Sequence, residues 1–179
     1  MDIYVLYMLL ILLVTGSVTD LRSNRIPNLL TYPTMIAGLF YHFSTNGIDG
    51  MMFSAQGIGL GIALLILPYL LGGMGAGDAK LMGAAGGLLG PKDVFYSFLF
   101  SAIAGGFYAI AVILVNRREF REFYGEKLEF IKNIILTVKL IPYQNVQRIG
   151  RPRLCYGLAI SLGTGAYILA KIFGYHPFV

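Results

Sequence analysis

Residues 72–87 read GGMGAGDAKLMGAAGG. One aspartate, Asp78, and one lysine, Lys80, stand in a run otherwise made of glycine, alanine, methionine and leucine. The chain around it is 56% hydrophobic and 13% charged over 179 residues. Such a composition lacks the polar surface to coat a water-soluble globule and places the chain in a bilayer. A carboxylate in that setting needs a reason, because an ionisable group at membrane depth costs about 2.5 kcal/mol or more on insertion scales.

Outward from this stretch, apolar segments run over 3–19, 29–44, 53–72, 79–90, 94–115 and 154–173. The expected fold is an all-α polytopic bundle of six membrane segments, a single domain over 1–179. A helix over 79–90 would cover only about 18 Å of a hydrocarbon core about 30 Å thick. The glycine loop before it is therefore expected to line a protected or watery cavity, where non-helical backbone is tolerated. The N-terminal run is not read as a cleaved signal peptide, since Asp2 precedes it and Arg22 and Arg25 follow it.

Charge sets the orientation. Residues 116–153 carry nine basic against four acidic residues, the whole formal +5 of the chain. The positive-inside rule makes this loop cytoplasmic, together with the Arg22/Arg25 turn, and puts STNGIDG (44–50) outside. Both chain ends then lie outside a multi-pass protein of the cytoplasmic (inner) membrane. Within the loop, Leu128, Ile131, Ile135 and Val138 recur at helical spacing beside Lys127, Lys132 and Lys139. That pattern fits an interfacial helix on anionic lipid, or equally a connector helix packed on the bundle.

This threading sorts the aspartates. Asp2 and Asp49 fall outside, and Asp93 follows Gly90-Pro91 where it can cap the fifth segment. Asp20 and Asp78 share the cytoplasmic side with two helices between them, so they can meet. Structural alternatives are ion pairs of Asp20 with Arg22 or Arg25 and of Asp78 with Lys80, or Asp78 as an N-cap. Gly75 and Gly77, just before Asp78, permit positive φ and the close approach of an extended peptide. Gly83/Gly87 and Gly57/Gly61 have the spacing of close helix contacts. With His42 and His176 near outer ends and Cys155 the single cysteine, no metal site is expected. No cofactor motif and no nucleic-acid partner are indicated. Two carboxylates sharing a site cannot both ionise easily, so one keeps its proton while the other can act as base. That asymmetry suits hydrolysis of a peptide by an activated water, with the acid and base roles unassigned.

Asp20 followed by Ile26-Pro27-Asn28, together with the distant Gly75-x-Gly77-Asp78-x-Lys80, resembles the type IV prepilin peptidases, the GxGD membrane aspartic proteases. The likeness covers residues 10 to about 115 and is greatest to the short members serving tight-adherence (Flp-type) pili, whose PYGxAI stretch is similar to RLCYGLAI here. Cys155 stands where that subgroup often has proline. The resemblance implies that Asp20 and Asp78 carry catalysis, that Gly75 and Gly77 form the loop, and that a basic prepilin leader is cut at the cytoplasmic face. Longer members also methylate the product and carry paired CxxC motifs, so a peptidase without methyltransferase activity is expected. A cationic leader would be repelled by the basic loop, which is assigned to lipid headgroups or pilus assembly proteins. Two other readings compete. Presenilin or signal-peptide-peptidase type proteases share GxGD but pair it with Tyr-Asp and Pro-Ala-Leu, whereas Thr19 precedes Asp20 and no such tripeptide occurs. A proton or ion relay through Asp20, Asp78 and Lys80 would be accompanied by internal repeats, and none is seen.

Overall fold

The computed structural model describes residues 2–70, 74–115 and 156–174, all in helices and short connections. The helices are α1 (Ile3–Ser23), α2 (Asn28–Leu70), α3 (Ala76–Leu89), α4 (Pro91–Val115) and α5 (Tyr156–Ile172). The chain divides into two compact units, one comprising Met1–Gly106 and Cys155–Val179 and the other Phe107–Leu154. The basic loop, its amphipathic stretch, Cys155 and His176 lie outside the described residues. In the second unit the described part is 107–115, the end of α4.

Three helices, α1, α2 and α4, are long and apolar enough to cross a membrane by length and composition. Large apolar side chains such as Ile3, Tyr7, Ile11, Val14 and Val18 are exposed along α1, while Val5, Leu9, Leu12, Gly16 and Asp20 are buried. A helix apolar on both faces belongs in lipid. Its hydroxyls stay satisfied within the helix, for Ser17 Oγ donates to the Leu13 carbonyl at 2.7 Å and Thr19 Oγ1 to that of Thr15 at 2.8 Å.

The second and third sequence segments form one element, α2, broken at Gly47, whose φ of 63° and ψ of −142° lie outside the helical region. A side chain at Gly50 would collide with the His42 carbonyl. Gly38 and Gly57, on either side of the break, both abut α3 at Gly87 and Gly86. The break is therefore a reversal, and two antiparallel arms flank α3.

Helix α3 is the centre of this unit. Every residue from Leu81 to Leu89 is buried. A Cβ at Gly38 would lie 2.7 Å from the Gly87 carbonyl oxygen, one at Gly61 would lie 2.5 Å from that of Met82, and Gly57 and Gly86 meet backbone to backbone. The expected small-residue contacts thus form, with Gly57 and Gly61 both facing α3, and Gly38 and Gly86 join them. Gly90 ends α3 with φ 82° beneath the Phe53 ring, and its N–H closes on the Gly86 carbonyl at 2.7 Å. The helix starts at Ala76, three residues earlier than the apolar pattern suggests, because Gly75 serves as N-cap and Asp78 falls inside the first turn.

At the end of the unit near Gly90, the Tyr41 hydroxyl donates to Asp2 at 2.7 Å and His42 Nε2 lies 3.1 Å from the Leu88 carbonyl oxygen. Asp93, in the first turn of α4, accepts from the Tyr167 hydroxyl at 2.7 Å and pairs with Lys171 of α5. Its role extends past the cap suggested by its position, since it ties α4 to α5.

Gly57→Ala should destabilise the protein by about 1–3 kcal/mol, because the new methyl meets backbone that cannot rotate away. Gly59→Ala, with nothing within 4 Å of its Cβ position, should be neutral or stabilising by up to about 1 kcal/mol. Equilibrium unfolding of the two variants in mixed micelles measures the contrast.

Candidate active site

Asp20 faces inward because it continues the buried stripe Leu9, Leu12, Gly16 of α1 at helical spacing. Helix α1 ends three residues later at Ser23, and its C-cap Asn24, in the left-handed region at φ 49°, donates its N–H to the Asp20 carbonyl at 2.8 Å. The chain then turns through Arg25, Ile26 and Pro27 and re-enters helix at Asn28. This turn lies at the other end of the unit from Asp2 and Asp93.

Asp78 arrives at the same end from α3. Its Oδ2 accepts the Gly75 N–H at 3.0 Å, the half of a capping box that an N3 carboxylate can make. Asp20 Oδ2 accepts the Gly157 N–H at 2.9 Å from the start of α5, and the Leu158 N–H lies near the same carboxylate. Asp20 and Asp78 are 6% and 7% exposed and close enough for the charge of one to act on the other. The only ion pair among the described residues is Asp93–Lys171, so neither carboxylate is paired as the structural alternatives required. Arg22 and Arg25 are exposed.

Ile26 fills the space between the two carboxylate-holding segments. Its Cβ would be 3.1 Å from a Cβ at Gly77, and its Cδ1 would be 3.0 Å from one at Gly157. Gly77 thus makes room for the protein's own backbone and side chain at Ile26. Neither Gly75 nor Gly77 has positive φ. Gly75 is exposed, and among the described residues a Cβ there would meet Asp78 Oδ2 at 3.5 Å and the Gly77 nitrogen at 3.9 Å.

Lys80 turns away from Asp78. Its ammonium donates to Asn28 Oδ1 at 2.8 Å and lies 5.1 Å from the centre of the Tyr32 ring. It therefore fastens the start of α2 to the first turn of α3, which accounts for both Asn28 and Lys80 in the sequence pattern. Tyr156 sits beside Gly105 and within reach of the Asp78 charge. Among the described residues no three His, Cys, Asp or Glu side chains gather to hold a metal. Sequence reasoning singled out Asp20 and Asp78, and named Ile26 and Asn28 without a role, but missed Tyr32, Tyr156 and Gly157 as their surroundings. For Gly157 the signal was present, in RLCYGLAI, without a stated role.

The type IV leader peptidase family model matches residues 7–110, more than half of the chain. The chain belongs to this family. The matched stretch contains Asp20, Ile26, Asn28, Asp78 and Lys80, and it stops before α5. The chain is 30% identical over 110 residues to the prepilin leader peptidase/N-methyltransferase of Bacillus subtilis, covering 59% of this chain and 43% of the relative. It is 34% identical over 112 residues to the protein of the same name in Vibrio cholerae serotype O1, covering 57% and 43%. The chain thus spans less than half the length of these curated relatives. No solved structure matches it.

If Lys80 and Asn28 act as a fastening, their substitutions must be non-additive. A cycle of Lys80→Met and Asn28→Leu is expected to give a coupling energy of about 0.5–1.5 kcal/mol in unfolding measurements. Additive losses would show that the bond contributes nothing.

Proposed function

We propose that this protein is a membrane aspartic endopeptidase that removes the basic leader from type IV, Flp-like prepilins at the cytoplasmic membrane face. The observation that carries the reading is the placement of Asp20 and Asp78 at one end of the helical unit, both buried, each held by a glycine N–H, with no cation among the described residues paired to either. Family membership and the names of the two relatives supply the substrate class.

A water between the carboxylates would lose a proton to the ionised member as its oxygen attacks the scissile carbonyl carbon. The protonated member would donate to the carbonyl oxygen as the tetrahedral intermediate forms. Collapse breaks the C–N bond, and the proton taken from water passes to the leaving amine. Fixed backbone donors suit this task because they hold carboxylate oxygens in place without introducing a counter-charge that would quench the base. The exposed Gly75, beside Asp78, is where an extended peptide would approach.

On this reading the arms of α2 count separately among six crossings and both chain ends lie outside, and the excess of basic residues in 116–153 supports a cytoplasmic position for this end of the unit. The basic stretch 116–153 would then meet anionic headgroups or pilus assembly proteins. The relay alternative loses its cation, since the Lys80 ammonium is engaged by Asn28 and Tyr32.

Coexpression with candidate prepilins, read by gel shift, tests the proposal. Wild type should convert prepilin to pilin, and Asp20→Asn and Asp78→Asn should each lower the rate at least about 10²-fold. Full cleavage by either variant would falsify the dyad. Mass spectrometry of the new N-terminus checks the expectation that it is unmethylated. Against pH, kcat/KM should be bell-shaped, falling on the acid side as the base is protonated and on the alkaline side as the acid loses its proton.

A further inference from the structure

The N-terminus of α5 lies outside the family-matched residues, yet it is in direct contact with the Asp20 carboxylate. Gly157 donates its N–H to Asp20 Oδ2 at 2.9 Å. A Cβ at Gly157 would lie 2.9 Å from that same oxygen, 3.1 Å from Asp20 Cγ and 3.0 Å from Ile26 Cδ1. The carboxylate is thus seated against a bare α-carbon, with the N–H of the next residue, Leu158, near it. Ser161, one turn on, donates to the Leu13 carbonyl at 3.1 Å as well as to that of Gly157 at 2.8 Å, so α5 is bonded to α1 above the contact as well.

We infer that Gly157 is a positioning residue for Asp20, and that only glycine at this position lets the carboxylate take the place from which it can activate water. The inference rests on the peptidase reading and adds to it a third segment, beyond α1 and α3, that sets the geometry of the dyad. The argument is steric and directional. Any β-carbon would occupy the volume now held by Asp20 and Ile26, and Asp20 is the side chain free to rotate, since Ile26 is wedged between Gly77 and Gly157. Rotation of Asp20 would break the 2.9 Å bond and carry its oxygens away from Asp78. A displacement of about 1 Å in a reacting group can cost about 10²-fold in rate.

The experiment compares the full-length protein with Gly157→Ala, Ile26→Val/Gly157→Ala and Gly165→Ala, using the prepilin that wild type processes. Gly165, on the same helix with nothing within 4 Å of its Cβ position, controls for alanine in α5. Gly157→Ala is expected to lose about 10²-fold in kcat with KM within about twofold of wild type, while Gly165→Ala retains full activity. Ile26→Val removes Cδ1 and relieves only the Ile26 contact, so the double variant should stay impaired. Recovery in the double variant, or unchanged kcat in Gly157→Ala, would overturn the inference. A readout independent of cleavage separates its failure from failure of the peptidase reading. In protein with ¹³C-carboxyl-labelled aspartate, the Asp20 resonance, assigned with Asp20→Asn, should move in Gly157→Ala and stay fixed in Gly165→Ala. An unmoved resonance would refute the positioning role whether or not any prepilin is cut.

Discussion

The backbone contact between α3 and the two arms of α2 is the constraint on which the rest of the structure depends. A 14-residue helix buried from Leu81 to Leu89 has no lipid-facing surface along that stretch to hold it at a given depth. Its position comes from glycines that let carbonyls and α-carbons of neighbouring helices touch: Gly38 and Gly87, Gly57 and Gly86, Gly61 and Met82. In an apolar solvent, where burying one more leucine gains little, such close packing is the main source of helix association. Once α3 is fixed, Asp78 in its first turn is fixed as well.

The two aspartates are accommodated by a common device. Each carboxylate takes a main-chain N–H from a glycine, Asp78 from the cap of its own helix and Asp20 from the start of α5, and hydrogen bonds to a charged group are worth about 1.5–3 kcal/mol each. That is comparable to the insertion cost of the residue. The residues that might have neutralised them are used otherwise. Lys80 binds Asn28 and Tyr32, and Arg22 and Arg25 are exposed. Among the described residues, then, no cation is paired with the buried site.

Much of this was legible in the sequence, and the unread parts have specific physical reasons. Apolar runs and glycine spacing located the helices, and counting two segments between Asp20 and Asp78 put both at one end of the bundle, where the structure has them. The extent of α3 was underestimated because apolar periodicity is blind to Gly75-Ala76-Gly77, which are helix-compatible only once a cap and an N3 carboxylate are supplied. Gly77 was read as space for a peptide, whereas Ile26 fills that space, a contact between positions 51 apart that no local pattern encodes. Lys80 looked like the natural partner of Asp78 two residues away, but residues at i and i+2 diverge on a helix. Asp93 looked like a cap, and its ties to Tyr167 and Lys171 become visible only when α5 is laid beside α4.

Those ties bear on the opposite end of the unit. Helix α5 is held near its last turn by Asp93, through Lys171 and Tyr167, and at its first turn by Asp20, through Gly157. A helix advances about 1.5 Å per residue, so a slip of a single residue along the axis would carry the Gly157 N–H out of hydrogen-bond range. The ion pair at one end thus acts as a gauge of length for the other, setting the axial register of α5 and with it the height at which Asp20 is caught.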